Sequence, residues 1–99
     1  MTRKRIPIAC TLDARAATDQ LSEWTAVRGR AKRVETISDG VRFVLPADIE
    51  ADVRDLARRE EACCAFLDIT VDKNGPDLVV SITSPDPDAG PVIALLTGT

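Results

Sequence analysis

The sequence predicts an α+β fold, a two-layer sandwich with two long helices and one short C-terminal helix on a mixed or antiparallel sheet of about five strands. Two observations predict it. Short apolar runs that alternate with polar residues, as strands do, are separated by turn residues such as Asn74-Gly75. Two longer stretches repeat apolar residues every three or four positions, as amphipathic helices do. The predicted order is β-α-β-β-α-β-β-α within a single compact domain, residues 1–99.

The first predicted elements are a strand and a long helix. Ile6 to Leu12 form an apolar run with β-branched residues, and Pro7 suits its start or edge. Asp13 is the predicted cap of the helix, and Gly29 with its neighbouring cations suits the helix C-terminus. The helix has an apolar stripe of four residues: Ala17, Leu21, Trp24 and Val27.

The remaining strands are predicted as two hairpins. The first joins residues 34–37 to residues 41–45 through a turn at Ser38-Asp39-Gly40, because glycine accepts the positive φ of tight turns. The second joins residues 67–71 to residues 78–82 through Asn74-Gly75. A last short helix is predicted near residues 91–96, with Asp88 as its cap.

The second long helix is predicted from about Asp48 to about Cys64. Successive turns along its apolar stripe lead to Glu60 and then to Cys63 and Cys64. The glutamate and both thiols are therefore expected on the inward face of the helix. The stripe itself has four residues: Ile49, Val53, Leu56 and Ala57.

Composition places the 99-residue chain among globular proteins, with 44% apolar and 29% charged residues. The net charge of −3 argues against nucleic-acid binding, which needs a basic face to displace counterions from phosphates. We interpret residues 1–5 as a solvated basic tail. The sequence shows no membrane span and no signal peptide, so we expect a cytoplasmic protein without a membrane partner. A homodimer through an exposed apolar sheet face stays open.

The adjacent pair Cys63-Cys64 is the most informative feature of the chain. Soft ions such as Hg(II), Cu(I), Cd(II) and As(III) bind thiolate sulfur strongly. Neighbouring residues on a regular helix point about 100° apart, so a chelating pair works best where a helix ends. If the strand after Cys64 lies antiparallel beside the first strand, Cys10 approaches the pair. We therefore predict a soft-metal or metalloid site with Cys10, Cys63 and Cys64 as ligands, and no organic cofactor is evident.

Three residues are predicted to support this site. Glu60 is interpreted either as a thiol-proton acceptor and hydrogen-bond partner, or as a rim residue paired with a cation such as Arg33. Trp24 is interpreted as a core residue or as the roof of a pocket, and Phe66 as a core residue.

Several kinds of site are excluded by ligand count. Structural zinc and iron–sulfur sites usually need four ligands, whereas the chain has three cysteines and no histidine. Three hypotheses stay open. The chain is a soft-ion-binding module, a thiol redox or thiol-transfer enzyme with Glu60 as the base, or an interaction module whose cysteines are small core residues.

Three pieces of the sequence carry a resemblance: Ile8-Ala9-Cys10-Thr11-Leu12, Trp24, and Glu60-x-x-Cys63-Cys64-x-Phe66. They resemble a small bacterial domain found alone or attached behind MerR-type, mercury- and heavy-metal-responsive regulators, mostly in actinobacteria. The similarity extends from about residue 6 to residue 96. It implies soft-metal handling, with Cys10, Cys63 and Cys64 as ligands and Glu60 in support. The DNA-binding helices of those regulators are missing from this sequence, so transcriptional regulation is not implied.

Overall fold

The computed structural model describes residues 14–98, with side chains from Asp19 onward. The elements, in chain order, are α1 (Ala14–Arg28), β1 (Arg33–Ile37), β2 (Gly40–Pro46), α2 (Glu50–Cys63), β3 (Asp68–Asn74), β4 (Asp77–Thr83) and α3 (Gly90–Thr97). They confirm the α+β prediction. The four described strands are the second to fifth predicted ones, whereas the first predicted strand and the Asp13 cap lie outside the described residues.

The four described strands form one antiparallel sheet in the order β1-β2-β4-β3. In β2 and β4 every second side chain points into the core, and the register places these inward residues opposite one another, as in the pair Phe43 and Val80. Strand pairs with one buried face stabilise each other through these cross-strand contacts. Six of their inward residues are at most 4% exposed: Val41, Phe43, Leu45, Leu78, Val80 and Ile82.

The helices enclose this inward face. Helix α2 packs against β3 and α3 against β2, while α1 contacts both other helices. A single cluster of buried residues joins the sheet to helix residues such as Trp24, Leu56 and Ile93. Trp24 and Phe43 are the only described aromatic side chains that are fully buried, so aliphatic residues form most of the core, as predicted. None of the helices in the described part of the chain has the length and apolar character needed to cross a bilayer.

Helix α2 follows the predicted stripe. It starts two residues later than expected, because a single 3-10 turn occupies Ala47–Ile49. The inward positions Val53, Leu56 and Ala57 are buried. On the opposite side, Arg59 reaches across to α1, where its guanidinium nitrogens lie 2.7 and 2.8 Å from the carboxylate oxygens of Glu23. The two helices are therefore held together at the surface as well as in the core.

The start of α3 differs from the prediction. A 3-10 turn at Pro87–Ala89 precedes the helix, and its cap is the side chain of Asp86, which accepts a hydrogen bond from the backbone of Asp88 at 2.9 Å. The prediction that Asp88 caps α3 is therefore wrong. The N-cap of α3 is Ala89, whose methyl side chain cannot accept a capping hydrogen bond, and Asp88 lies inside the preceding turn.

Arg28 connects the ends of two helices. Its guanidinium donates to the carbonyls of Leu95 and Leu96 at 3.1 Å each. These carbonyls belong to the last turn of α3, where backbone acceptors have no partner within the helix. Gly98 ends α3 at φ 72° beside the same guanidinium. The cation at the end of α1 therefore caps α3, and this contact fixes the two helices relative to each other.

Strands β2 and β4 approach each other so closely at Gly40 that a side chain has no room there. A Cβ at this position would collide with the carbonyl oxygen of Ile82 and lie 2.9 Å from the Cα of Thr83. We expect Gly40→Ala to lower the free energy of unfolding by at least about 1–3 kcal/mol, the usual cost of overpacking. Urea denaturation measures this change.

Gly90→Ala is the matched control, because a Cβ at Gly90 meets open space and its φ is −49°. We expect this change to be neutral or to stabilise by about 0.4–1 kcal/mol. Equal effects of the two substitutions would contradict the proposed close approach at Gly40.

Candidate metal centre

Two facing helix turns place five polar or thiol side chains together in the core. Gln20 and Trp24 are four residues apart on α1, and Glu60 and Cys63 are three apart on α2, so each set shares one helix face. Cys64 follows directly at the C-terminus of α2. All five are at most 7% exposed. We call Gln20, Trp24, Glu60, Cys63 and Cys64 the thiol cluster.

The Glu60 carboxylate is at the centre of the thiol cluster. Its Oε1 accepts hydrogen bonds from Trp24 Nε1 at 2.7 Å and from Gln20 Nε2 at 3.0 Å. Its Oε2 lies 3.1 Å from Cys64 Sγ and 3.7 Å from Cys63 Sγ. A buried carboxylate is costly unless hydrogen bonds compensate for lost water. Donors on α1 therefore bind one oxygen of this carboxylate, and the two sulfurs at the end of α2 face the other oxygen.

The rim interpretation of Glu60 is wrong, because Glu60 is only 3% exposed. Arg33, the predicted cation partner, instead donates to Glu35 at 2.9 Å. The rim position belongs to the next residue, Glu61, which is exposed and accepts a hydrogen bond from the backbone of Ile69 at 2.8 Å. Glu60 points inward because it continues the apolar stripe of α2, as the helical spacing predicts.

The two adjacent sulfurs lie close together at the end of α2. Cys63 Sγ and Cys64 Sγ are 3.5 Å apart. Cys64 leaves the helical conformation with φ −125° and ψ 76°, and its carbonyl accepts a bond from Leu67 in the turn that follows. The departure from the helix lets neighbouring side chains converge. Glu60, Cys63 and Cys64 each offer a donor atom within 4.8 Å of the others, so this group can hold a metal ion.

The oxidation state of the two cysteines differs. Cys64 is disulfide-bonded, and Cys63 is the free thiol among the described residues. The 3.1 Å separation of Cys64 Sγ from Glu60 Oε2 suits a hydrogen bond that only the reduced thiol can donate. Ion binding by both sulfurs therefore requires the reduced form. Cys10, the predicted third ligand, lies outside the described residues, and its role stays a prediction.

The Cys63 thiol is held in its protonated form. Burial raises the pKa of Cys63 above its ordinary value, and the negative charge of Glu60 raises it further. A hydrogen bond from Gln20 Nε2, 3.4 Å from the sulfur, acts in the opposite direction and lowers the pKa. The balance favours the thiol. This is the opposite of an activated nucleophilic cysteine, whose pKa is depressed.

The supporting residues have separable roles. Trp24 is fully buried and is both a core residue and a hydrogen-bond donor to Glu60. Phe66 is half-buried against the core, and its carbonyl accepts a hydrogen bond from the Ser84 hydroxyl at 2.6 Å, which fixes the turn after α2. Gln20 was not predicted. Its position four residues before Trp24 places it on the same helix face, and this spacing is the signal that identifies it.

The thiol cluster is a buried set of donor atoms rather than the floor of an open cleft. A surface cavity of about 490 Å³ lies between the β1–β2 turn and the loop before α3, and no member of the thiol cluster lines it.

A comparison with known protein families finds no matching family, and comparisons with curated proteins and with solved structures find no significant match. The function of the protein is therefore inferred from the geometry of the thiol cluster alone.

Glu60→Gln removes the charge beside Cys63 while keeping side-chain size. We expect the pKa of Cys63 to fall, because the negative charge that disfavours the thiolate is gone. Gln20→Leu removes a hydrogen bond to the sulfur, and we expect the pKa to rise. Thiolate absorbance, combined with mass mapping of Cys63 alkylation against pH, measures both shifts. Glu61→Gln is the neighbouring control and leaves the pKa unchanged; shifts of the same sign in the first two variants would contradict the described geometry.

The raised pKa of Cys63 also predicts how stability depends on pH. The unfolded chain ionises this thiol near its ordinary value of 9.0, whereas the native protein keeps it protonated to higher pH. The contribution to stability is therefore complete below pH 9.0 and is lost as pH rises above it. Urea denaturation of the reduced protein at increasing pH measures this loss. Cys63→Ala lacks this component, so equal pH slopes in both proteins would contradict the assignment.

Proposed function

We propose that this protein binds a soft metal or metalloid ion through the thiolates of Cys63 and Cys64, as a sensor, scavenger or carrier. One observation carries the proposal: two sulfurs 3.5 Å apart face the same buried carboxylate oxygen at the end of α2. Soft ions prefer thiolate ligands and are held by two or three of them. Cys10 is proposed as an additional sulfur ligand on the basis of the sequence.

Glu60 supplies the second part of the chemistry. A metal ligand must be deprotonated, so ion binding displaces the thiol protons. Glu60 Oε2 lies within hydrogen-bond distance of Cys64 Sγ and can accept that proton. The same oxygen is close enough to both sulfurs to serve as a third donor to the ion. Glu60 Oε2 is therefore placed either to accept a thiol proton or, when ionised, to donate to the ion as a weak oxygen ligand.

Helix α1 orients this carboxylate. Trp24 and Gln20 donate to Oε1, which leaves Oε2 directed at the sulfurs. Partners of this kind outside the ligand set fix a ligand in its productive orientation and influence metal affinity. The tryptophan and the glutamine thus connect the ligand turn of α2 to the rest of the core.

Thiol redox chemistry is the second candidate, because the free thiol of Cys63 lies 3.5 Å from the disulfide sulfur of Cys64. In thiol–disulfide exchange the Cys63 thiolate attacks Cys64 Sγ, its proton passing to Glu60. A Cys63–Cys64 bond forms as the original disulfide breaks, and the released thiolate takes up the proton. The raised pKa of Cys63 slows this attack. Ion binding is the better-supported function because the two sulfurs and a Glu60 oxygen all lie within 4.8 Å of one another, as ligands of one ion must.

Anaerobic titration of the reduced protein with Hg(II) or Cd(II), followed by native mass spectrometry, tests the proposal. We expect one ion per chain, and we expect Cys63→Ser or Cys64→Ser to remove the high-affinity site. Trp24→Phe removes the donor to Glu60, and we expect it to weaken binding by about 10–100-fold.

Glu61→Gln is the control, because Glu61 lies outside the thiol cluster and its substitution leaves affinity unchanged. Cys10→Ser shows whether the third cysteine contributes a ligand. No bound ion at micromolar concentration, or full affinity without Cys63 and Cys64, would sink the proposal.

A further inference from the structure

We infer that the reduced Cys63–Cys64 pair is a site for trivalent arsenic carrying one organic substituent, such as methylarsonous acid, in preference to ions that bind two sulfurs in a line. The inference rests on the proposed function and names the class of ligand. Its basis is the spacing of the two sulfurs, their buried and closely packed surroundings, and the charge balance of the reaction.

The sulfur spacing defines the coordination angle. With bonds of roughly 2.3 Å from a central atom to sulfur, a separation of 3.5 Å corresponds to an angle of about 100° at that atom. Trivalent arsenic is pyramidal and has angles in this range, because its lone pair compresses the bonds. A linear ion such as Hg(II) or Cu(I) with two ligands needs sulfurs roughly 4.6 Å apart. The observed pair is about 1.1 Å too close for that geometry.

The surroundings of the sulfurs oppose such a widening. Cys63 Sγ lies 3.4 Å from both Gln20 Nε2 and the backbone oxygen of Glu60. Cys64 is completely buried in the hydrophobic core. Protein interiors are closely packed and deform at a cost in free energy. Moving either sulfur outward disturbs this packing, whereas a pyramidal centre fits the 3.5 Å spacing once Cys64 is reduced.

Charge balance also favours an arsenous acid over a metal cation. Methylarsonous acid, CH3As(OH)2, condenses with two thiols to give CH3As(SCys)2 and two waters. Two As–O and two S–H bonds break, two As–S bonds and two O–H bonds form, and arsenic stays trivalent. Reactants and products are neutral, so no proton has to leave the buried site. A divalent cation instead displaces protons from two thiols whose sulfurs lie 3.1 and 3.7 Å from the Glu60 carboxylate.

Glu60 is positioned to transfer protons during this condensation. Its Oε2 lies 3.1 Å from Cys64 Sγ and 3.7 Å from Cys63 Sγ, so one oxygen faces both thiols. It accepts a thiol proton as the As–S bond forms and returns it to the departing hydroxyl group, which leaves as water. The carboxylate is unchanged after two such transfers. The third position on arsenic keeps its methyl group, so Cys10 is not needed.

The experiment compares methylarsonous acid with Hg(II) on the full chain, kept reduced by a phosphine under anaerobic conditions. Native mass spectrometry should show one methylarsenic group per chain, added with loss of two waters. Dithiothreitol then competes for each ligand. For each ligand, this competition gives the ratio of its affinity for the protein to its affinity for the flexible dithiol. We expect this ratio to be at least about tenfold higher for methylarsenic than for Hg(II), which corresponds to about 1.4 kcal/mol.

Cys63→Ser and Cys64→Ser should abolish the adduct, and Cys10→Ser should keep it. If the serine variants fail to fold, alkylation mapping of the wild-type adduct replaces them: arsenic must protect Cys63 and Cys64 and leave Cys10 reactive. Loss of the adduct in Cys10→Ser, or an adduct elsewhere, overturns the inference. If the pair binds Hg(II) but not methylarsenic, the inference is overturned and the proposed function stands. If the pair binds neither, the proposed function is overturned as well.

Discussion

The buried carboxylate of Glu60 is the interaction on which the arrangement of α1, α2 and the two thiols depends. A carboxylate at 3% exposure needs hydrogen bonds, and α1 supplies two of them through Trp24 and Gln20. Satisfying this group fixes how the two helices face each other. It also leaves the second carboxylate oxygen directed at the sulfurs. The hydrogen bonds that stabilise the buried carboxylate therefore also bring its oxygen close to the two sulfurs.

The end of α2 adds a backbone constraint to this electrostatic one. On a continuous helix, Cys63 and Cys64 would point about 100° apart. Because Cys64 leaves the helix, its sulfur approaches Cys63 Sγ to 3.5 Å. The following turn is held by Leu67 and by the Ser84 bond to the Phe66 carbonyl. If the helix continued by one more turn, the sulfurs of Cys63 and Cys64 would point apart. The C-terminal end of α2 is therefore part of the site.

Much of this was predictable from periodicity, and the failures have local causes. The helical spacing predicts that Glu60 and Cys63 share the inward face with Val53 and Leu56, and they do. Alternation likewise predicts the buried faces of β2 and β4. Gln20 was missed because a polar side chain on a helix is usually solvated, and only the distant Glu60 makes it a buried donor. The prediction that Asp88 caps α3 was wrong because Asp88 lies in a 3-10 turn that precedes the helix, which places Ala89 at the N-cap.

The same features that favour ligand binding work against catalysis by these thiols. Burial and the charge of Glu60 raise the pKa of Cys63, so its thiol is poorly nucleophilic. A ligand that replaces the thiol protons removes this penalty, because sulfur then shares its charge with the bound atom. Burial and the Glu60 carboxylate thus keep the Cys63 thiol protonated until a ligand takes the place of its proton. These properties support the proposed capture of an ion or metalloid, because capture needs converging donor atoms and not a thiol that is already ionised.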